Sequence, residues 1–217
     1  KSDMVMIPDI TTCYIDSSKK HKTIVVIADI FVINENKLER FEDDPRYIAQ
    51  KAETFMKEKD IALNIVLEVG ELLEKVKGIK VVYTRKTDVF VELTQRASIA
   101  NKANADLFIC IHANSASPSA YGTETYVLGL HRTESQQKVA ERENATIYLE
   151  DDKGAKYKDF DMSPDAIIAR QLQLSVFLDQ SINFADKLQK EFKTLGRYDR
   201  GVKQAGFLVL YKTTMPS

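Results

Sequence analysis

Ala105-Asp106-Leu107-Phe108-Ile109-Cys110-Ile111-His112-Ala113-Asn114-Ser115 is the stretch on which the fold turns. Five apolar residues, Leu107 to Ile111, stop at a histidine followed by small and polar residues. A run of that length, rich in Ile and Phe and bounded by polar residues, suits a strand buried on both faces of a sheet. His112 then stands where the strand leaves the sheet, and in open α/β sheets ligand sites gather outside the carboxyl ends of the strands. An imidazole at that edge can bind a metal or move a proton. On position alone it can equally be a strand-end histidine bonded to a nearby carbonyl.

Working outward, Thr23-Ile24-Val25-Val26-Ile27 reads as a central strand, with Phe31-Val32-Ile33 continuing it or forming a short piece of its own. Residues 34–57 are crowded with charge and read as an insertion. Ile61, Ile65, Val69, Leu72 and Val76 recur at helical spacing, with Ala62, Val66 and Leu73 beside them, and Gly78 stops that helix. Val81-Val82-Tyr83 is the next strand, and Leu93, Ala97 and Ala100 mark a helix leading into the Leu107 strand. Strand and helix alternating in this order predict parallel βαβ units with right-handed crossovers. Beyond His112, Gly122 to Leu128 reads as a strand and residues 131–163 as a second charged insertion. One long amphipathic helix is expected from Pro164 to Leu195, ended by Gly196, and Ala205 to Tyr211 reads as a last apolar strand. The expected fold class is α/β: one domain over residues 1–217, a mostly parallel twisted sheet of about six strands with helices on both faces.

The 217 residues carry a net charge of −1, with no basic excess that would point to nucleic acid as a partner. No apolar run is long enough to span a bilayer, and the start of the chain lacks a signal-peptide pattern. Cys13 and Cys110 share no metal-ligand spacing. Cys110 reads as an inert core thiol, with a Cys13–Cys110 disulfide as the alternative.

A second candidate ligand is Glu58, in Lys57-Glu58-Lys59-Asp60, directly before the Ile61 helix. Acids are favoured in a helix's first turn by its dipole, so spacing alone explains Glu58 without a metal. Three stretches nevertheless resemble the zinc-dependent N-acetylmuramoyl-L-alanine amidases of bacterial cell walls. They are Glu58-Lys59-Asp60-Ile61-Ala62-Leu63-Asn64; Val82-Tyr83-Thr84-Arg85-Lys86-Thr87-Asp88-Val89-Phe90-Val91 running on through Arg96 and Ile99-Ala100-Asn101 to His112-Ala113-Asn114; and Gly122-Thr123-Glu124-Thr125-Tyr126-Val127-Leu128-Gly129-Leu130, joined later by Asp199-Arg200-Gly201-Val202-Lys203-Gln204-Ala205-Gly206-Phe207. Together they cover most of residues 58–217.

The resemblance implies a six-stranded α/β sheet, one catalytic Zn2+, and hydrolysis of the amide joining N-acetylmuramic acid to L-alanine in peptidoglycan. It assigns two of the three metal ligands to Glu58 and His112. Three protein ligands leave zinc an open position, where it acidifies a water and polarises the scissile carbonyl, while a glutamate takes the proton. The implied partner is peptidoglycan or a muropeptide, with no nucleic acid, no transmembrane segment and an unidentified protein activator as an option. The implied location is the cell envelope, periplasmic or secreted.

Two elements of the family pattern are absent from the sequence. Phe31 falls where the first zinc histidine belongs, with Val32 and Ile33 in place of glycines. The general-base glutamate belongs on a strand after Thr214-Met215-Pro216-Ser217, where the sequence stops. Either the chain is part of a longer protein, with segments missing near residue 28 and after residue 217, or it is a pseudoenzyme. The intact motifs over residues 58–130 favour the former. Asp29, Glu35 and His21 are the substitutes for a third ligand, His21 falling at the wrong end of its strand. Asn114 either orients substrate or is structural. His131 reads as a surface or outer histidine, and Arg85, Asp88 and Arg96 as buried pairs between the turn and the following helix. Two rival functions stand beside the amidase: a non-catalytic peptidoglycan-binding or regulatory homologue, and a nucleotide-binding module. The second ranks last because no glycine-rich loop follows the first strand.

Overall fold

The computed structural model describes residues 23–29, 58–113, 121–158 and 160–217. Three strands form one parallel sheet: β1 (Thr23–Asp29) lies between β2 (Ile79–Tyr83) and β3 (Leu107–Ile111). The register sets Val25 opposite both Val81 and Leu107, and Asp29 opposite Ile111. The connections are α1 (Glu58–Glu74), ahead of β2, and α2 (Leu93–Lys102), between β2 and β3. A second parallel pair, β4 (Thr123–Leu128) and β5 (Asp199–Ala205), has a register shift between Thr123 and Thr125. The α/β fold with parallel strands is as expected, but the described residues hold five strands in two ladders rather than one sheet of six.

The central stretch is buried on both sides where it enters the sheet. Successive side chains on a strand point to opposite faces. Leu107 accordingly joins a core with Val25, Val66, Leu73 and Ile79, and Phe108 a second one with Leu93, Ala100, Leu128, Ala205 and Phe207. The face that α1 buries is Lys59, Ala62, Val66, Gly70 and Leu73. The expected stripe runs along its flank, and Ile65 is exposed. Of the residues read beside the stripe, Ala62, Val66 and Leu73 are the ones fully buried, joined by Gly70 against the Tyr83 ring.

Three further expectations are corrected. The strand expected over 205–211 is the end of β5 followed by a short helix, here called α6 (Leu208–Tyr211). A short apolar run that is fully buried has no periodicity to separate helix from strand. The single helix expected from Pro164 is two, α4 (Pro164–Gln173) and α5 (Ser175–Thr194), meeting at Leu174. Ser163 caps the first, accepting from the Ala166 amide at 3.3 Å. The 131–163 stretch, read as irregular, contains a helix, α3 (Glu134–Asn144), and two 3-10 turns, Ala145–Leu149 and Ala155–Tyr157. Phe31-Val32-Ile33, residues 34–57, Cys13, His21, Glu35 and Asn114 lie outside the described residues.

Charge is used sparingly but firmly in the interior. Glu150, buried at the end of the first 3-10 turn, accepts from the Leu93 amide at 3.0 Å and from the Tyr157 hydroxyl at 2.9 Å, and pairs with Lys156 at 2.7 Å. It thereby closes the first turn of α2 from far along the chain. On the second ladder, Glu124 accepts from Arg200 Nε (3.0 Å), from the Tyr126 hydroxyl (3.1 Å) and from Lys203. Burial would raise its carboxyl, but the bonds from Lys203 and Arg200 outweigh that and hold it below its ordinary 4.5.

Candidate metal centre

Glu58 opens α1 and His112 follows β3; the next residue, Ala113, lies 55 residues beyond Glu58 in the chain and donates its amide to Glu58 Oε1 at 3.1 Å. The helix start is itself pinned. Arg85 Nη2 donates to the Lys59 carbonyl at 2.8 Å, Arg85 Nη1 to the Thr87 carbonyl at 3.3 Å, and Asp88 pairs with both Lys59 and Arg85. Arg96 Nε donates to the Val91 carbonyl at 2.8 Å, tying α2 to the turn before it. Arg96, buried, thus ties the turn to the following helix through a main-chain carbonyl, whereas Arg85 and Asp88 reach back to the start of α1, and Asp88 is exposed rather than buried as expected.

The structure brings Glu58 and His112 together, with His112 Nδ1 3.7 Å from Glu58 Oε1. It adds a residue that the sequence reading missed. Glu143, next to last in α3, sets Oε2 3.1 Å from the same His112 Nδ1. Donor atoms of Glu58, His112 and Glu143 all lie within 4.8 Å of one another, the one such trio among the described residues. A signal for Glu143 was present in the sequence: Thr133-x-x-Gln136 is a helix-start pattern, and Gln136, Ala140 and Glu143 share a face at helical spacing. Thr133 does cap α3, accepting from the Gln136 amide at 3.3 Å, and those three residues are its buried ones.

Glu143 is fixed from both sides. Arg142 donates to its Oε1 from Nη2 at 3.1 Å and from Nε at 3.3 Å. Asn144 grips the chain between β5 and α6, donating to the Gly206 carbonyl at 2.8 Å and accepting from the Leu208 amide at 2.9 Å. The insertion is therefore bolted to the second ladder at the point where its carboxylate reaches the histidine.

Two atoms of the trio bear on a metal. His112 Nδ1 and Glu143 Oε2 are buried at contact distance, yet neither makes a hydrogen bond. Buried polar atoms are nearly always satisfied, and a cation between these donors would satisfy both. Without one, burial pulls the imidazole's pKa down, but Cys110, Glu143 and Glu58 together pull it up and leave it well above its ordinary 6.5. Burial likewise raises Glu143, and His112 with Arg142 overcomes it, holding the carboxyl below 4.5. Cys110 is a free thiol packed against the Phe108 core, as expected, but it is only half-buried and sets Sγ 3.4 Å from His112 Nε2. His131 is exposed, in keeping with a surface role.

The sequence pattern of a known family, described as N-acetylmuramoyl-L-alanine amidase, matches residues 23–217. The chain belongs to that family. It is 31% identical over 169 residues to the amidase AmiC of Escherichia coli, covering 74% of this chain and 38% of that protein. It is 37% identical over 131 residues to the endolysin of Bacillus phage SPP1, covering 57% of this chain and 48% of that protein. A similar solved structure is the catalytic domain of CwlV, an amidase from Bacillus (Paenibacillus) polymyxa var. colistinus, at 24% identity and a TM-score of 0.48, covering 89% of this chain and 76% of that one. The chain spans about half or less of the length of these two curated relatives. Phe31, the position expected for the pattern's first histidine, lies outside the described residues, and Glu143 is the third donor that this amidase-family chain displays among them.

Proposed function

We propose that the chain is the hydrolytic part of a peptidoglycan amidase of the cell envelope, cleaving between N-acetylmuramic acid and L-alanine, with zinc held by Glu58, His112 and Glu143. The convergence of these three side chains, from α1, the end of β3 and α3, carries the reading. Two ligands about 2.0–2.1 Å from one zinc at the tetrahedral angle stand about 3.3 Å apart. The observed 3.1 and 3.7 Å from His112 Nδ1 bracket that value. Bound there, zinc supplies the Lewis acidity that activates a water and polarises an amide carbonyl.

The chain's own residues do the rest. The Ala113 amide fixes which oxygen of Glu58 faces inward, and Arg142 does the same for Glu143. Asn114, next along from Ala113, is the candidate to orient the substrate amide. Phe108 donates to the Pro216 carbonyl at 2.9 Å, so the chain at Pro216 runs beside β3, the strand that leads into His112. No helix among the described residues is long and apolar enough to cross a membrane.

The test is metal content and stem-peptide release from muropeptides, measured on the parent and on Glu58→Ala, His112→Ala and Glu143→Ala. About one zinc per chain in the parent, lost in each variant along with turnover, is expected for a three-ligand site. Unchanged metal content in the variants would overturn the ligand assignment. Muropeptide binding without turnover by a zinc-loaded full-length protein would select the non-catalytic alternative.

A further inference from the structure

His112 is contacted through both ring nitrogens. Nδ1 faces the two carboxylates, while Nε2 lies 3.4 Å from the thiol of Cys110. The thiol comes from two residues earlier on the same extended segment, and residues two apart on a strand share a face. The sheet edge itself therefore sets sulfur against the far side of the ring. Resting on the zinc reading above, we propose that Cys110 is a positioning residue that selects the ring tautomer of His112 competent to bind metal.

The argument is one of proton placement. A neutral imidazole carries a single N–H, on one nitrogen or the other. Glu58 and Glu143 are acceptors, and both draw that proton to Nδ1, the nitrogen that must be bare to bind an ion. Something on the opposite side has to hold the proton at Nε2 instead. Metal-ligating histidines commonly donate their other N–H to a nearby acceptor for this reason. Cys110 Sγ is the side-chain atom recorded at that position. A thiol sulfur is a weak acceptor. Before an ion binds it accepts from Nε2–H while Nδ1–H faces the carboxylates, and with an ion at Nδ1 it still accepts from Nε2–H, so the proton that leaves is the one on Nδ1. A hydroxyl can accept in the same way, whereas a methyl group cannot.

The experiment compares the parent with Cys110→Val, Cys110→Ala and Cys110→Ser, each first checked for native circular dichroism. Zinc affinity is measured by chelator competition, and the His112 tautomer by 15N chemical shifts of the zinc-loaded ring. Cys110→Val and Cys110→Ala are expected to bind zinc about 10- to 100-fold more weakly. Cys110→Ser should stay within about 3-fold of the parent and keep its proton on Nε2. Parent-like affinity and tautomer in the Val and Ala variants would overturn the proposal while leaving the metal site standing. An intense sulfur-to-metal charge-transfer band in the cobalt-substituted parent would also overturn it, by making Cys110 a ligand. If the parent takes up no zinc, or Glu58→Ala takes up as much as the parent, the zinc reading itself fails and this inference falls with it.

Discussion

Asn144→Ala isolates the joint between the inserted helix and the second ladder. The carboxamide of Asn144 bonds the Gly206 carbonyl at 2.8 Å and the Leu208 amide at 2.9 Å, in a segment where residues 205–210 are all buried. Truncation removes both bonds and leaves two buried main-chain groups without that partner, each costing about 1–3 kcal/mol. Partial relaxation of the chain brings the sum to about 3 kcal/mol. With a urea m-value of about 2–3 kcal/mol/M, the unfolding midpoint should fall by about 1–1.5 M. Urea titration followed by far-ultraviolet circular dichroism gives the number directly. Glu143 is the adjacent residue, so zinc affinity measured on the same samples should drop as well. A midpoint within about 0.3 M of the parent would refute the clamp, since the error of such a comparison is smaller than one buried hydrogen bond.

Two further outcomes follow from the same reasoning. The carboxyl of Glu124 lies below its ordinary 4.5, so its contribution is complete above that pH and is lost as pH falls through the folded-state value. Glu124→Gln should therefore cost about 1 kcal/mol at about pH 7, with the gap to the parent closing towards about pH 3 in paired urea titrations. At Gly70 an added methyl would run into the Tyr83 ring. Gly70→Ala should lose about 1 kcal/mol despite the gain of about 1 kcal/mol in helix propensity. Tyr83→Leu in the same chain should restore that gain, which thermal unfolding would show.

What could be read from the sequence was what hydrophobic periodicity encodes. β1, α1, β2, α2, β3 and β4 were legible because each buries an apolar run or stripe against the sheet, and the parallel order followed from their alternation. Glu58 and His112 were legible as neighbours only through the family resemblance, because nothing in the spacing of a helix-start acid and a strand-end histidine requires them to meet. Glu143 was hidden for a different reason. The polar residues of 131–163 suggested a solvated stretch, but α3 buries glutamine, alanine and glutamate against polar partners. Burial there is satisfied by hydrogen bonds and charge, which leave no hydrophobic trace. Phe207 to Leu210 failed in the opposite sense, being too uniformly apolar to betray a helix.

Glu150 bears on how such domains can be recombined. It lies 57 residues after the amide it caps, and the cap is completed by Tyr157 and Lys156 from the following turns. Residues 145–157 are thus as much a part of α2 as of the insertion that carries them. A chimaera that trims or exchanges the insertion would open the first turn of a helix elsewhere in the molecule, unless the carboxylate, the phenol and the ammonium travel as one cassette.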